Sequence, residues 1–106
     1  MASTTDEVIE IIKKYVCELR HHNIHVDEAI LFGSFVKGTA GEESDIDVAL
    51  ISDVFTGDRF DERRKIIPFR RAIDSRLEPI PFNHKCFDGG GTLIDNIKKT
   101  GFKIAI

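Results

Sequence analysis

The segment from Phe32 to Val48, FGSFVKGTAGEESDIDV, constrains the fold more than any other part of the chain. It begins where a short apolar run, EAILF over residues 28–32, stops at Gly33, and it ends inside a second run, DIDVALIS over residues 45–52. Both runs have strand length, and the second is mostly apolar after Asp47, as a central strand should be. Between them a Gly-Ser pair opens a turn, Phe35 to Thr39 can make a short helix, and Gly38 and Gly41 stop it. Strand, glycine turn, short helix, loop and strand, in that order, put a sheet at the centre of the molecule.

The acidic residues of this segment carry its chemistry. Asp45 and Asp47 are two apart, which on a strand places both carboxylates on one face, roughly 6–7 Å apart at Cα, with Ile46 and Val48 directed into the core. Carboxylates that close resist joint ionisation, and a divalent cation removes the conflict. Oxygen-only ligands favour Mg²⁺ or Mn²⁺ over zinc, and two ions about 3.5–4 Å apart could be bridged by the pair. On the other side of the loop, Gly33 lets the backbone approach a ligand closely, and N–H groups at a helix start suit phosphate oxygens. Ser34 adds a hydroxyl, and Lys37, one turn on, adds a positive charge toward the same phosphates. Each half alone is common; their combination in this order is much more specific. A Walker motif is excluded, because Thr39-Ala40 follows Gly38 in place of Lys-Ser/Thr, and the Asp-rich run lacks the glycine and terminal glutamate of a calcium loop.

The flanks read as support. Val8, Ile11, Ile12, Tyr15, Val16 and Leu19 recur at helical spacing in a helix capped by Thr4 or Thr5 and ending near Asn23. His21, His22 and His25 follow it; no metal geometry is forced by their spacing, and histidines at a helix C-terminus are usually surface residues compatible with the dipole. Asp58 can cap a second long helix to about Asp74, with Phe60, Ile67 and Ile73 on one face; Pro68 should kink or split it at Ile67. Its arginines, Arg63, Arg64, Arg70 and Arg71 among them, read as a solvated outer face or as a contact surface for an acidic partner or nucleotide. Residues 76–83, RLEPIPFN, form a third strand with Leu77 and Glu78 on opposite faces, and Pro79 and Pro81 place it at a sheet edge. Asp88 to Gly91 reads as a loop, Thr92 as the cap of a short helix to Thr100, and Lys103 to Ile106 as a last short strand.

A length of 106 residues predicts one domain over 1–106, and 42% apolar residues suffice for one core. The net charge of −3 does not announce a DNA or RNA binder. Cys17 and Cys86 form neither a CxxC pair nor a zinc spacing, no apolar run approaches the ~18 residues of a membrane span, and the acidic start MASTTDEVIE is unlike a signal peptide. The expectation is a cytoplasmic protein with reduced thiols.

Gly33-Ser34, Gly38 and Ser44-Asp45-Ile46-Asp47-Val48 resemble the signature of the DNA polymerase β-type nucleotidyltransferase superfamily, and the short chain resembles its minimal nucleotidyltransferase (MNT) branch. The resemblance implies an α+β fold, a small mixed β-sheet flanked by α-helices. It implies transfer of a nucleoside monophosphate, AMP if ATP is the NTP, to an acceptor hydroxyl, with two Mg²⁺ ions (or Mn²⁺) bound by Asp45 and Asp47. Gly33 and Ser34, with Lys37 and Ser44 beside them, would hold the nucleotide. The resemblance also implies a third carboxylate on a later strand that helps to bind one metal and to activate the acceptor hydroxyl; Glu78 stands there in a Leu-Glu-Pro context, and Asp74 and Asp88 are weaker substitutes. Minimal members resemble antitoxins whose partner is a helical HEPN-domain toxin, so the implied acceptor is a tyrosine of a partner protein. A non-catalytic antitoxin acting by occlusion and a small-molecule nucleotidyltransferase are the alternatives.

Overall fold

The computed structural model describes residues 5–38, 44–56 and 58–106. Helix α1 (Thr5–His21) buries the expected stripe: Val8, Ile12, Tyr15, Val16 and Leu19 are inaccessible, with Ile11 half-buried at its margin. Asp6 and Glu7 in its first turn and Arg20 and His21 in its last complement the helix dipole. Its N-cap lies outside the described residues. Asn23, at φ 64°, turns the chain out of the helix toward the sheet.

The sheet has four strands in the order β3-β2-β1-β4, formed by β1 (Glu28–Phe32), β2 (Ile46–Ile51), β3 (Leu77–Phe82) and β4 (Phe102–Ile104). β1 pairs antiparallel with β2 and β4, and β2 pairs parallel with β3, so the sheet is mixed. No helix among the described residues is long and apolar enough to cross a membrane. Strand alternation then sorts the side chains. Ala29, Leu31, Ile46, Val48, Leu50 and Leu77 face the core beneath α1, and Ile30, Phe32, Ala49, Ile51 and Phe82 face a second cluster closed by Phe87, Ile94 and Ile97.

The connection from β2 to β3 is split where Pro68 leads one to expect, into α3 (Arg59–Ile66) and a 3₁₀ helix over Ile67–Ala72. Pro68 has no N–H to give to the carbonyl four residues earlier, so the helix tightens at Ile67 as its sequence predicts. The buried Tyr15 hydroxyl donates to the Ile66 carbonyl at this break, 2.7 Å away, and joins α1 to α3. Phe60 does not face the core: it is 86% exposed, and Glu62 and Ile66 turn inward instead. Glu62 is partnered there, accepting from Lys65 Nζ and from Thr56 Oγ1, both at 3.2 Å. Asp58 caps α3 as expected, accepting from the Asp61 N–H at 3.1 Å.

β3 is an edge strand, and its sequence explains how the edge stays closed. Carbonyls and N–H groups of alternate residues point to alternate sides. Residues 77, 79 and 81 point outward, where Pro79 and Pro81 offer no donor to a foreign strand. The outward carbonyls are covered: Arg70 Nη1 donates to Leu77 O at 2.9 Å and Arg63 Nε to Pro79 O at 3.3 Å. After β3, helix α4 (His84–Gly89) replaces part of the expected loop. Asn83 starts it by accepting from the Cys86 N–H at 2.7 Å, a capping signal the glycine run obscured. Helix α5 (Thr92–Thr100) follows, with Gly91 at the N-cap in place of Thr92.

Candidate active site

At one end of the sheet the apolar face gives way to acid. On β2 the residues of the second face run Ile51, Ala49, Asp47, and on β3 they run Phe82, Ile80, Glu78. The parallel register pairs Asp47 with Glu78, so their Cα atoms lie on adjacent strands about 4.8 Å apart. Asp47 is half-buried, and Asp45 stands exposed just before the first ladder residue of β2. Burial, the Asp45 charge and the Glu78 charge, in that order, raise the pKa of Asp47 above the ordinary carboxylate value. A half-buried carboxyl crowded by two other acids fits a divalent cation, whose charge offsets their repulsion.

Gly33 belongs to the same end. β1 ends at Phe32, which is in register with Asp47, and Gly33 turns the chain away at φ 81°, ψ −148°. A methyl group on Gly33 would overlap Asp47 Oδ2, so only glycine lets the turn pass over that carboxylate. Ser34 opens α2 (Ser34–Lys37) directly after it, which keeps the turn and the acids together. Ser44 lies half-buried beside Asp45. The side chain of Lys37 and residues 39–43 lie outside what the structure describes.

Glu78 has partners that sequence reasoning missed. Arg63 Nη2 forms a close ion pair with Glu78 Oε2, and Arg70 Nη1 lies 3.2 Å from Oε1. Arg63 and Arg70 are seven apart on a split helix, so both reach the β3 edge. Periodicity assigned them to the outer face because nothing local marks which strand a helix crosses. Of the weaker substitutes, Asp74 pairs with Arg76 at 2.9 Å and its pKa is lowered, chiefly by that hydrogen bond. Asp88 is exposed on α4. The histidines near α1 also divide: His22 Nε2 donates to Glu18 Oε1 at 3.1 Å and its ring stacks on Phe69, and His25 turns to Asp27.

Among solved structures, a nucleotidyltransferase assignment from Sulfolobus solfataricus superposes with a TM-score of 0.63 at 19% identity, covering 91% of this chain and 78% of its own. A toxin-antitoxin structure with AMP-PNP superposes with a TM-score of 0.61 at 24% identity, covering 90% and 70%. Both likenesses are of fold. No curated protein matches the sequence. The family profile described as "Nucleotidyltransferase domain" matches residues 9–98, a span that runs from α1 through the β1 turn and the acids of β2 and β3 into α5. The chain therefore belongs to the nucleotidyltransferase domain family.

Proposed function

We propose that the protein transfers AMP from ATP to a hydroxyl of a partner protein, as an antitoxin acting on a HEPN-type toxin. One observation carries the reading: Asp47 and Glu78 lie in register on adjacent parallel strands, with Asp45 before them and the Gly33 turn against the Asp47 carboxylate. Asp45 and Asp47 would hold Mg²⁺, which supplies activation of the acceptor hydroxyl and charge compensation for departing pyrophosphate. The backbone at Gly33 and Ser34, with Lys37 and Ser44, binds and orients the triphosphate. Glu78 receives the acceptor's proton once Arg63 and Arg70 release it, and an anionic triphosphate is the ligand suited to draw those guanidiniums away.

The partner side rests on two further observations. The AMP-PNP-bound structural neighbour is a toxin-antitoxin, and an open apolar pocket of about 490 Å³ lies on the β3 edge, beside Arg63. Phe60, Ile67, Pro68, Ile80 and Leu93 line it, with Phe60 almost fully exposed, as a surface awaiting a protein would be. The test is incubation with α-labelled ATP, Mg²⁺ and the product of a neighbouring gene. Label on the partner that is lost with Asp47→Asn supports transfer. A second reading, neutralisation by occlusion, is favoured by the arginine clamp on Glu78; a stoichiometric complex without label supports it and overturns transfer.

A further inference from the structure

We infer that Asp27, Asp53 and His84 form a second divalent-metal site, at the end of the sheet opposite the acids of β2 and β3, and that it takes a transition-metal ion of the Zn²⁺ or Co²⁺ class. Three segments converge there. Asp27 precedes β1, Asp53 follows β2 and His84 follows β3; because β1 runs antiparallel to the other two, its start meets their ends. The ladder fixes the meeting point, with Asp27 N–H donating to Ile51 O at 2.9 Å and Ser52 N–H to Phe82 O at 3.0 Å. From Asp47 to Ile51 alone the strand rises about 13 Å, so the cluster shares no ligand with Asp45, Asp47 or Glu78.

One ligand atom from each residue lies within 4.8 Å of the other two. His84 Nε2 is 2.8 Å from Asp27 Oδ2 and 3.9 Å from Asp53 Oδ1. Ligands on a common ion with bonds of about 2.0–2.2 Å stand about 3–3.6 Å apart, so side-chain shifts of about an ångström close the set. The remaining oxygen of Asp27 is 2.5 Å from His25 Nε2, the outer contact that orients a metal-bound carboxylate. Charge also favours a cation. Among the described residues no lysine or arginine forms an ion pair with Asp27 or Asp53, so imidazoles are the side chains that can bring positive charge to the two carboxylates. An imidazole beside two carboxylates selects a borderline transition metal, whereas the all-oxygen set at the other end selects Mg²⁺. On binding, the Nε2 proton of His84 passes to solvent and the ion takes its place against Asp27.

The experiment titrates Zn²⁺ calorimetrically, and Co²⁺ by its visible d–d absorption, into an Asp45→Asn/Asp47→Asn protein whose other site is disabled. One equivalent should bind, and His84→Ala and Asp53→Asn should each weaken binding at least about tenfold. Asp53 is 83% exposed, so its substitution leaves packing intact, which a thermal melt verifies. Absence of binding, or full affinity retained in either folded variant, overturns the site.

Discussion

Asp47→Asn separates what the β2 acids cost the fold from what they do. Asp47 is half-buried, with Asp45 about 6–7 Å away along the strand at Cα and Glu78 in register across it. Arg63 and Arg70 offset part of the Glu78 charge, and Asp45 acts on Asp47 more strongly than Glu78 does. Two unit charges about 6 Å apart repel by about 0.7 kcal/mol in water and about 2.8 kcal/mol at an effective dielectric of 20. Exposed Asp45 belongs nearer the first limit, so neutralising Asp47 relieves about 1 kcal/mol. For a domain of this size that raises Tm by about 4–8 °C in EDTA at neutral pH. The sign follows from the raised pKa: the folded state holds this proton more tightly than the unfolded chain does. That contribution is complete below the unfolded value and is lost as pH rises through the folded one. The gain of the variant over the wild type must therefore shrink as pH falls through the folded value. Mg²⁺ must reverse the order, because an ion at ten times its Kd adds about 1.4 kcal/mol to the wild type alone. A variant less stable than the wild type in EDTA at neutral pH would mean that the carboxylate is favourably held without metal, and the repulsion argument would fail.

Gly33→Ala should lower stability by about 2 kcal/mol, since φ 81° strains an L-residue and the new methyl overlaps Asp47 Oδ2; urea denaturation measures this, and Mg²⁺ stabilisation should be lost with it. Tyr15→Phe should cost about 1–2 kcal/mol in the same assay, because the Ile66 carbonyl loses its buried donor. Asp74→Asn should destabilise at neutral pH by about 1 kcal/mol, through loss of the Arg76 pairing. The Asp74 pKa is lowered in the fold, so this contribution exists above the unfolded carboxylate value and is lost as pH falls through the folded one; melts of the two proteins should converge in acid. Arg63→Gln should raise Mn²⁺ affinity of the nucleotide-free protein severalfold by freeing Glu78, measured by paramagnetic relaxation, and Glu78→Gln in the same background should cancel the gain.

Periodicity made the core legible where one face of one element decides burial. The α1 stripe and the alternation of β2 and β3 could be read directly, because every buried position there is apolar. The split at Ile67 and the edge position of β3 were also legible, since proline acts through a missing donor that no tertiary contact restores. Phe60 was not. Its helix carries acid, base and apolar residues on every side, so tertiary packing chose Glu62 and Ile66 as the inward pair. α4 was missed because glycines over residues 89–91 outweighed the Asn83 cap. At the site, Gly33 and the β2 acids lie within one continuous stretch and could be named together. The Glu78 clamp and the Asp27–Asp53–His84 cluster join residues up to 57 apart, and only strand order brings such residues into contact.

Strand register also explains how Glu78 can stand in a Leu-Glu-Pro context. Leu77 and Pro79 are buried on the α1 side, and Phe82 is buried on the other, against Phe87. A slip of one residue would turn Leu77 and Pro79 toward Asp47 and drive Glu78 into the core beneath α1. Burying that carboxylate without its arginines would cost several kcal/mol, more than any gain from re-pairing the ladder. Packing therefore fixes where Glu78 sits, whatever its chemistry. The two prolines that depart from an ordinary strand help, because outward positions 79 and 81 carry no N–H, and the outward Leu77 N–H is given to the Asp74 carbonyl at 3.2 Å. The arginines that close the same edge also pair with Glu78, so edge protection and the holding of Glu78 are one structural feature. Any ligand that draws Arg63 or Arg70 away uncovers the β3 carbonyls and frees the carboxylate in the same movement.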